Sequence, residues 1–367
     1  MKTIVVSVTN DLVTDQRVHK VCTSLQEMGF SIHLVGRRLK NSLPIKRNYK
    51  TTRMKLLFTK GPLFYAEYNF RLFLLLLFAK KQVLLANDLD TLLPNFLVAK
   101  LTNKPMVYDS HELFTEVPEL IHRPKVQKIW LAIEQFIFPK LKDVFTVCSS
   151  ISDYYKKEYG VTVRVLRNLP KQKKERDSKI SLEILEFIKN KPAVIYQGAV
   201  NLGRGIDVMI DAIATMDNTV LCVFGNGDIF DEIELKIQSE NLQDKILLYG
   251  SVCPEELRNI TPLFDVGLSL EEDLGMNYKY ALPNKLFDYI HGGIPCLVSD
   301  LPEMKKMVNS YQIGQVLKSR EIKVVAAQIQ QVIHHKNDYQ KNIEIAKQAL
   351  NWEKESEVIK QVYSKFL

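Results

Sequence analysis

The stretch PNKLFDYIHGGIPCLVSD, residues 283–300, sets a lysine and an aspartate three positions apart ahead of a glycine pair and an apolar strand. On a helix that spacing puts Lys285 and Asp288 on one face and leaves Leu286, Phe287 and Ile290 to pack inward. An ammonium placed this way serves an anion, and a carboxylate accepts hydrogen bonds from two neighbouring hydroxyls at once. Upstream, QGAVNLGRGID at 197–207 holds Arg204 in a loop with Gly198, Gly203 and Gly205 that opens a helix, and FGNGD at 224–228 repeats a glycine pair at a strand end. Glycine loops and helix starts present N–H groups to which phosphate is a natural guest. Nearer the N-terminus, TNDLVTDQR, ANDLD and YDSHELF gather Asp11, Asp15, Arg17, Asp88, Asp90, His111 and Glu112.

Each feature has a plainer reading. Lys285 and Asp288 as a surface i,i+3 pair contribute only about 0.2–0.5 kcal/mol. The glycines of FGNGD serve a tight turn, His111 a structural role after a strand, and Asp11, Asp15 and Arg17 the capping and charge balance of the first helix.

The elements that would carry these residues alternate. KTIVVSV is a β-branched run, RVHKVCTSLQEMGF follows helical spacing to a stop at Gly29, and SIHLVGR is a second strand, which makes a βαβ unit. QVLLAND, PMVYDS, DVFTVCS and VRVLRN read as further strands, TLLPNFLVAKLT and about 126–141 as helices. After a charged connector and leading helix between Pro170 and Pro192, AVIYQGA, TVLCVFGN, KILLYGS, VGLSL and PCLVSD repeat the pattern with helices between them. The last stretch, from Val324, reads as helix with one break near Lys336 to Asp338. Such alternation means parallel sheets covered on both faces, hence an α/β chain with two Rossmann-like domains and a cleft. Ligands of such sheets bind outside the carboxyl ends of the strands, where the polar residues above fall.

Length and composition fit. The chain has 367 residues, 46% hydrophobic and 25% charged, with no repeat or low-complexity tract, enough for two domains. The five cysteines form no CxxC pair and read as buried thiols in a reducing cytoplasm. The apolar start ends at Val8, too early for a signal peptide, and FRLFLLLLFAKKQVLLA at 70–86 is broken by Lys80-Lys81, which favours a core helix followed by a strand. A net charge of +8 suits a phosphorylated ligand or an anionic membrane surface, whereas no zinc-finger or RNP signature supports nucleic acid. TNDLVTDQR after the first strand is not the G-x-G-x-x-G of a dinucleotide oxidoreductase.

Nearly the whole chain resembles the GT-B fold glycosyltransferases, family 4 in particular. PNKLFDY is similar to that family's Pro-Ser-Lys-hydrophobic-hydrophobic-Glu-Tyr helix, Gly198 to Gly205 to its first donor loop, FGNGD to its Gly-x-Gly turn, and LYGSVCPEEL at 248–257 to the loop that borders the nucleobase. The resemblance implies two Rossmann-like domains facing a central cleft: an acceptor-side domain at 1–168, a donor domain at 169–345, and a helix at 346–367 returning to the first. It implies a retaining, metal-independent hexosyltransferase with no cofactor beyond its nucleoside-diphosphate sugar, which builds a bacterial surface polysaccharide. The acceptor would be a glycan or lipid-linked saccharide, and the protein cytoplasmic, peripheral on the inner face of the membrane.

Carried over by position, His111, Arg204 and Lys285 are the expected catalytic groups. Gly198, Arg204, Gly225, Asn226, Gly227, Gly250, Val252, Asn284, Lys285, Leu286 and Asp288 would hold the donor, with Asp288 on the ribose hydroxyls. Asp11, Asp15, Arg17, Asp88 and Glu112 would face the acceptor, and no metal is expected. Pro283 suits the first helical position. Two departures stand out: Ala199 replaces a usual arginine, and Tyr280 lies where the first of two glutamates is usual, with Glu271, Glu272 and Asp273 nearby in sequence. They favour, as alternatives, a nucleotide-sugar-binding partner subunit without catalysis; an epimerase of the same fold is the other.

Overall fold

The computed structural model describes residues 1–13, 15–172 and 180–367; Thr14 and 173–179, the charged part of the expected connector, lie outside the described residues. Two compact units divide the chain, Met1–Asn168 with Glu355–Leu367, and Leu169–Lys354.

In the first unit β1 (Thr3–Asp11), β2 (Ser31–Arg38), β3 (Lys50–Lys55), β4 (Val83–Asn87), β5 (Met106–Ser110), β6 (Asp143–Thr146) and β7 (Arg164–Val165) form one parallel sheet in the order β3-β2-β1-β4-β5-β6-β7. The central strands are near-continuous apolar runs because helices cover both faces. Strand order reverses between β1 and β4, and the ends of β4 and β5 carry Asp88 and His111. The polar edge strand β3, KTTRMK, is absent from the sequence reading because it buries little and so lacks apolar alternation.

Helix α1 (Gln16–Glu27) starts at Asp15, whose carboxylate accepts from the Val18 N–H at 2.9 Å. Helix α2 (Gly61–Phe78) corrects the core helix expected at 70–79. It begins nine residues earlier, Phe64, Tyr68, Leu72 and Leu76 face the core, and Leu63, Phe70, Leu74 and Phe78 stay exposed. A helix apolar on nearly every side can bury only one stripe against a sheet. Helix α3 (Leu89–Thr102) packs along α2.

The C-terminal residues complete this unit. Arg167 grips the Glu355 carboxylate through Nε at 3.0 Å and Nη2 at 2.6 Å, Lys365 reaches both Asp143 oxygens at 2.6 Å, and the buried Tyr363 ring meets Phe30 edge-on. Besides a 3-10 turn at Lys336–Tyr339, the helical C-terminal stretch breaks again at Leu350–Asn351, where Asn351 accepts from the Lys354 N–H at 3.0 Å. One break was expected; the side chain of Asn351 starts a new helix instead.

In the second unit β8 (Ala193–Gln197), β9 (Val220–Phe224), β10 (Ile246–Gly250), β11 (Val266–Ser269), β12 (Cys296–Val298) and β13 (Gly314–Val316) form a parallel sheet in the order β10-β9-β8-β11-β12-β13, reversing between β8 and β11. Two apolar clusters fill this unit, one of them containing Leu286, Phe287, Tyr289 and Ile290 of the Asn284–Gly292 helix. Cys253 is exposed, which corrects its reading as a buried thiol; the other four cysteines are buried. It stands at the N-cap of a short surface helix, outside any strand.

Candidate functional site

At the switch point of the second unit, the chain leaving β11 turns Glu271 into the protein, where it is fully buried. Lys285 Nζ donates to one of its oxygens at 2.8 Å and the Ser269 hydroxyl to the other at 2.7 Å. The Ser299 hydroxyl holds its backbone carbonyl at 2.6 Å, and the Arg320 guanidinium holds the Leu270 carbonyl at 3.1 Å. Arg204 brings Nη1 to 3.9 Å from the same carboxylate while its guanidinium lies 4.9 Å from the centre of the Tyr278 ring. Lys285 in turn sits 4.0 Å from the centre of the Tyr196 ring.

Burial disfavours charge on Glu271 and Lys285, but the pairing outweighs it: the carboxyl is held below its ordinary range, chiefly by Lys285, and the ammonium above its own by Glu271. Two cations and one carboxylate leave this triad with a net positive charge next to Gly198, where a Cβ would stand 3.2 Å from Lys285 Cε. That is a place for an anion. Arg204 and Lys285 therefore converge, and of the three acids near Tyr280 in sequence it is Glu271 that lies between them.

Asp288 points elsewhere. It accepts from Gln197 Nε2 at 2.9 Å, and the Gln197 oxygen accepts from the Thr261 hydroxyl at 2.9 Å, so the carboxylate is aimed by the last residue of β8. Pro283 is the cap rather than the first helical residue, and its carbonyl takes the Leu286 N–H at 3.1 Å. The Leu286 side chain is core, and with its N–H already bonded it does not fit the donor contact expected of it. Asn284 is exposed at the helix start and Val252 half-buried against the apolar cluster.

The expected glycine loops lie side by side. Gly225 donates to the Gly250 carbonyl at 2.8 Å, Gly198 to Phe224 at 2.9 Å, and Val200 to Asn226 at 3.1 Å. Gly225 has φ +149°, and a Cβ there would stand 1.7 Å from the Gly198 carbonyl oxygen. No other residue lets the ends of β8 and β9 approach so closely. Gly227 donates to the Asn226 side chain at 2.7 Å, turning the loop back on itself.

In the first unit His111 lies among acids. Its Nδ1 is 3.0 Å from Asp88, its Nε2 3.4 Å from Asp109 and 3.2 Å from the Asn87 side-chain oxygen, and its backbone N–H donates to Asp88 at 2.8 Å. Burial works against the imidazolium, yet Asp88 and Asp109 push the pKa up to about 10. Asp88 adopts φ +57°, ψ 166°, a strained backbone held by its N–H bond to the Asp109 carbonyl at 2.9 Å. Asp90 is buried, accepts from Thr9 at 2.5 Å through one oxygen, and has no partner on the other among the described residues; burial, then Asp88, pushes its pKa up to about 7.

Three residues expected to face the acceptor make bonds within the first unit. Arg17 is buried with Nε and Nη2 on Asp109 at 3.1 and 2.6 Å and Nη1 on the Leu166 carbonyl at 2.7 Å, so its guanidinium is turned into the unit. Asp15 caps α1, and Asp11 accepts from Ser42 and from the Val13 N–H at 3.2 Å. Glu112 remains half-buried beside the His111 group. Sequence reading did not single out Gln197, Ser269, Tyr278, Asp109 or Arg320; Gln197 and Ser269 end their strands, the one signal that pointed to them.

Two family models match, Glycosyltransferase Family 4 over residues 15–169 and Glycosyl transferases group 1 over 177–349, together most of the chain. Among solved structures, sucrose-phosphate synthase (tll1590) from Thermosynechococcus elongatus superimposes with a TM-score of 0.80 at 16% identity, covering 100% of this chain and 99% of that one. Anabaena Alr3699/HepE in complex with UDP and glucose gives 0.73 at 12%, with 100% of both chains covered. The lipopolysaccharide outer core galactosyltransferase WaaB, in its apo form, gives 0.65 at 14%, covering 98% of this chain and 99% of that one. No curated protein matches the sequence.

Proposed function

The chain belongs to the GT-B glycosyltransferases of the family 4 type, and we propose that it transfers a hexosyl group from a nucleoside-diphosphate sugar to a glycan or lipid-linked saccharide, with retention and without a metal ion. The observation that carries this reading is the convergence of Arg204 and Lys285 on Glu271 beside Gly198. When the bond between the anomeric carbon and the diphosphate oxygen breaks, its electron pair goes to the leaving diphosphate. Fixed cations that already face that oxygen stabilise it without reorganising.

On this reading each group has a role. Arg204 and Lys285 take the diphosphate, Asp288, aimed by Gln197, takes the ribose hydroxyls, and the loops at Gly225–Gly227 and Gly250–Val252 border the nucleoside. His111, as an imidazolium between Asp88 and Asp109, donates to the reacting sugar, and Asp88 and Glu112 serve the acceptor. The solved relative with UDP and glucose supports a nucleotide-sugar donor. The acceptor class places the work in surface polysaccharide synthesis, at the cytoplasmic face of a membrane with the protein peripheral to it.

Calorimetric titration with UDP, GDP and ADP and their sugars, followed by donor turnover with and without EDTA and proton NMR of the product anomer, tests the proposal. Saturable binding of one nucleotide and EDTA-resistant transfer with the anomer retained is the expected result. Binding without turnover would instead favour a partner subunit, and no nucleotide binding would overturn the reading.

A further inference from the structure

Helix α2 is apolar apart from Glu67, Asn69 and Arg71, yet it is not enclosed. Its outward stripe runs Leu63, Phe70, Leu74, Phe78 at helical spacing, with Phe70 64% and Phe78 81% exposed. At 1.5 Å per residue the stripe from Leu63 to Phe78 runs for about 22 Å along the 18-residue helix. Leu57 and Phe58 extend it at the leading end, where the Glu67 carboxylate holds both of their N–H groups within 3.0 Å. Leu97 and Leu101 of the adjoining α3 are exposed as well.

The charge around this stripe has one sign. Residues 36–104 contain 14 Lys and Arg against three acids, Glu67, Asp88 and Asp90. Glu67 is paired with Arg71 at 2.7 Å, and the two aspartates belong to the strand-end group around His111. Lys60, Arg71 and Lys80 on or beside α2, Lys100 on α3 and Lys104 just after it are exposed. Beside the last turn of α2 lies a groove of about 890 Å³ whose wall sets Leu74 and Phe78 next to Lys50 and Lys80. Among the described residues no helix is long and apolar enough to cross a membrane.

We propose that the outer face of α2 lies in the interface of an anionic lipid bilayer, with Phe70, Leu74 and Phe78 among the acyl chains and Lys60, Arg71 and Lys80 at the headgroup phosphates. Apolar residues bordered by basic ones bind in this way, since the lysine and arginine stems reach back to the headgroups while the rings enter the hydrocarbon. A second copy of this chain fits the face less well, because it would bring another strongly basic segment against the first. This names the surface behind the membrane-side reading above and rests on that reading, not on the donor chemistry.

Co-sedimentation of the full chain with vesicles tests it. The protein binds phosphatidylcholine–phosphatidylglycerol vesicles at low salt, releases them at high salt, and leaves pure phosphatidylcholine vesicles unbound. The Phe70→Ser/Phe78→Ser variant loses at least about tenfold in vesicle affinity while its UDP titration and circular dichroism stay unchanged, and Lys60→Gln/Lys80→Gln flattens the salt dependence. Absence of sedimentation at low salt overturns the proposal, as does a serine variant that binds like the parent or a dimer in ultracentrifugation that the serines dissolve. UDP binding without vesicle binding defeats this inference alone; vesicle binding without any nucleotide binding defeats only the proposed function.

Discussion

Lys285 and Glu271, fourteen positions apart, meet at 2.8 Å with both side chains buried. Removing one partner of such a pair strands the other charge and costs about 3–5 kcal/mol. Lys285→Met and Glu271→Gln are therefore each expected to lower urea stability by about that amount, and the double variant to recover part of the loss. Nucleotide affinity separates the two: Lys285→Met is expected to abolish binding of whichever nucleotide the parent takes, whereas Glu271→Gln, which removes a negative charge beside the proposed diphosphate site, preserves or tightens it in calorimetry.

Tyr278 offers its ring to the Arg204 guanidinium at 4.9 Å. A contact of this kind contributes about 0.5–1 kcal/mol at a partly exposed site. Tyr278→Ala should raise the donor KM by about two- to fivefold with little change in kcat, and Tyr278→Phe should leave both unchanged. Steady-state kinetics with the identified donor reads the split.

The pKa of His111, pushed up to about 10 against an ordinary 6.5, makes stability depend on pH. The folded protein holds this proton more tightly, so the contribution is complete below pH 6.5 and is lost as pH rises towards 10. Denaturation midpoints of the parent should fall across that window more steeply than those of His111→Gln. Equal slopes would mean that Asp88 and Asp109 do not hold the ring charged.

Alanine at two glycines should give unequal results. At Gly225 the new Cβ would lie 1.7 Å from a backbone oxygen, at φ +149°, while at Gly250 it meets nothing within 4 Å. Gly250→Ala carries the backbone cost alone, about 1–2 kcal/mol. Gly225→Ala adds about 1–3 kcal/mol for forcing apart the ends of β8 and β9, and binding of the nucleotide that the parent takes is expected to weaken with it.

Much of the fold was legible because buried parallel strands and amphipathic helices write their periods into the chain. The polar edge strand Lys50–Lys55 has no such period, and α2, apolar nearly all round, gives no sign of which side faces out. Within the site, Arg204, Lys285 and Asp288 could be read because each sits at a loop or helix start whose chemistry is local. Glu271 was visible as an acid but not as Lys285's partner, since only the turn after β11 brings it there. The fate of Arg17 was hidden for the same reason: Asp109 lies 92 residues along the chain, and an ion pair between the first turn of α1 and the end of β5 leaves no mark in either neighbourhood.

The first unit is finished by Glu355–Leu367, so the whole of the second is spliced into it. During synthesis the early strands emerge long before the pieces that satisfy Arg167, Asp143 and the Phe30 surface have been made. The ribosome thus delivers an incomplete module, followed by an intact guest, and only then the closing segment. A nascent chain stalled after residue 168 should engage chaperones and be cut readily by protease, while the guest, arrested after Lys354, should already resist digestion.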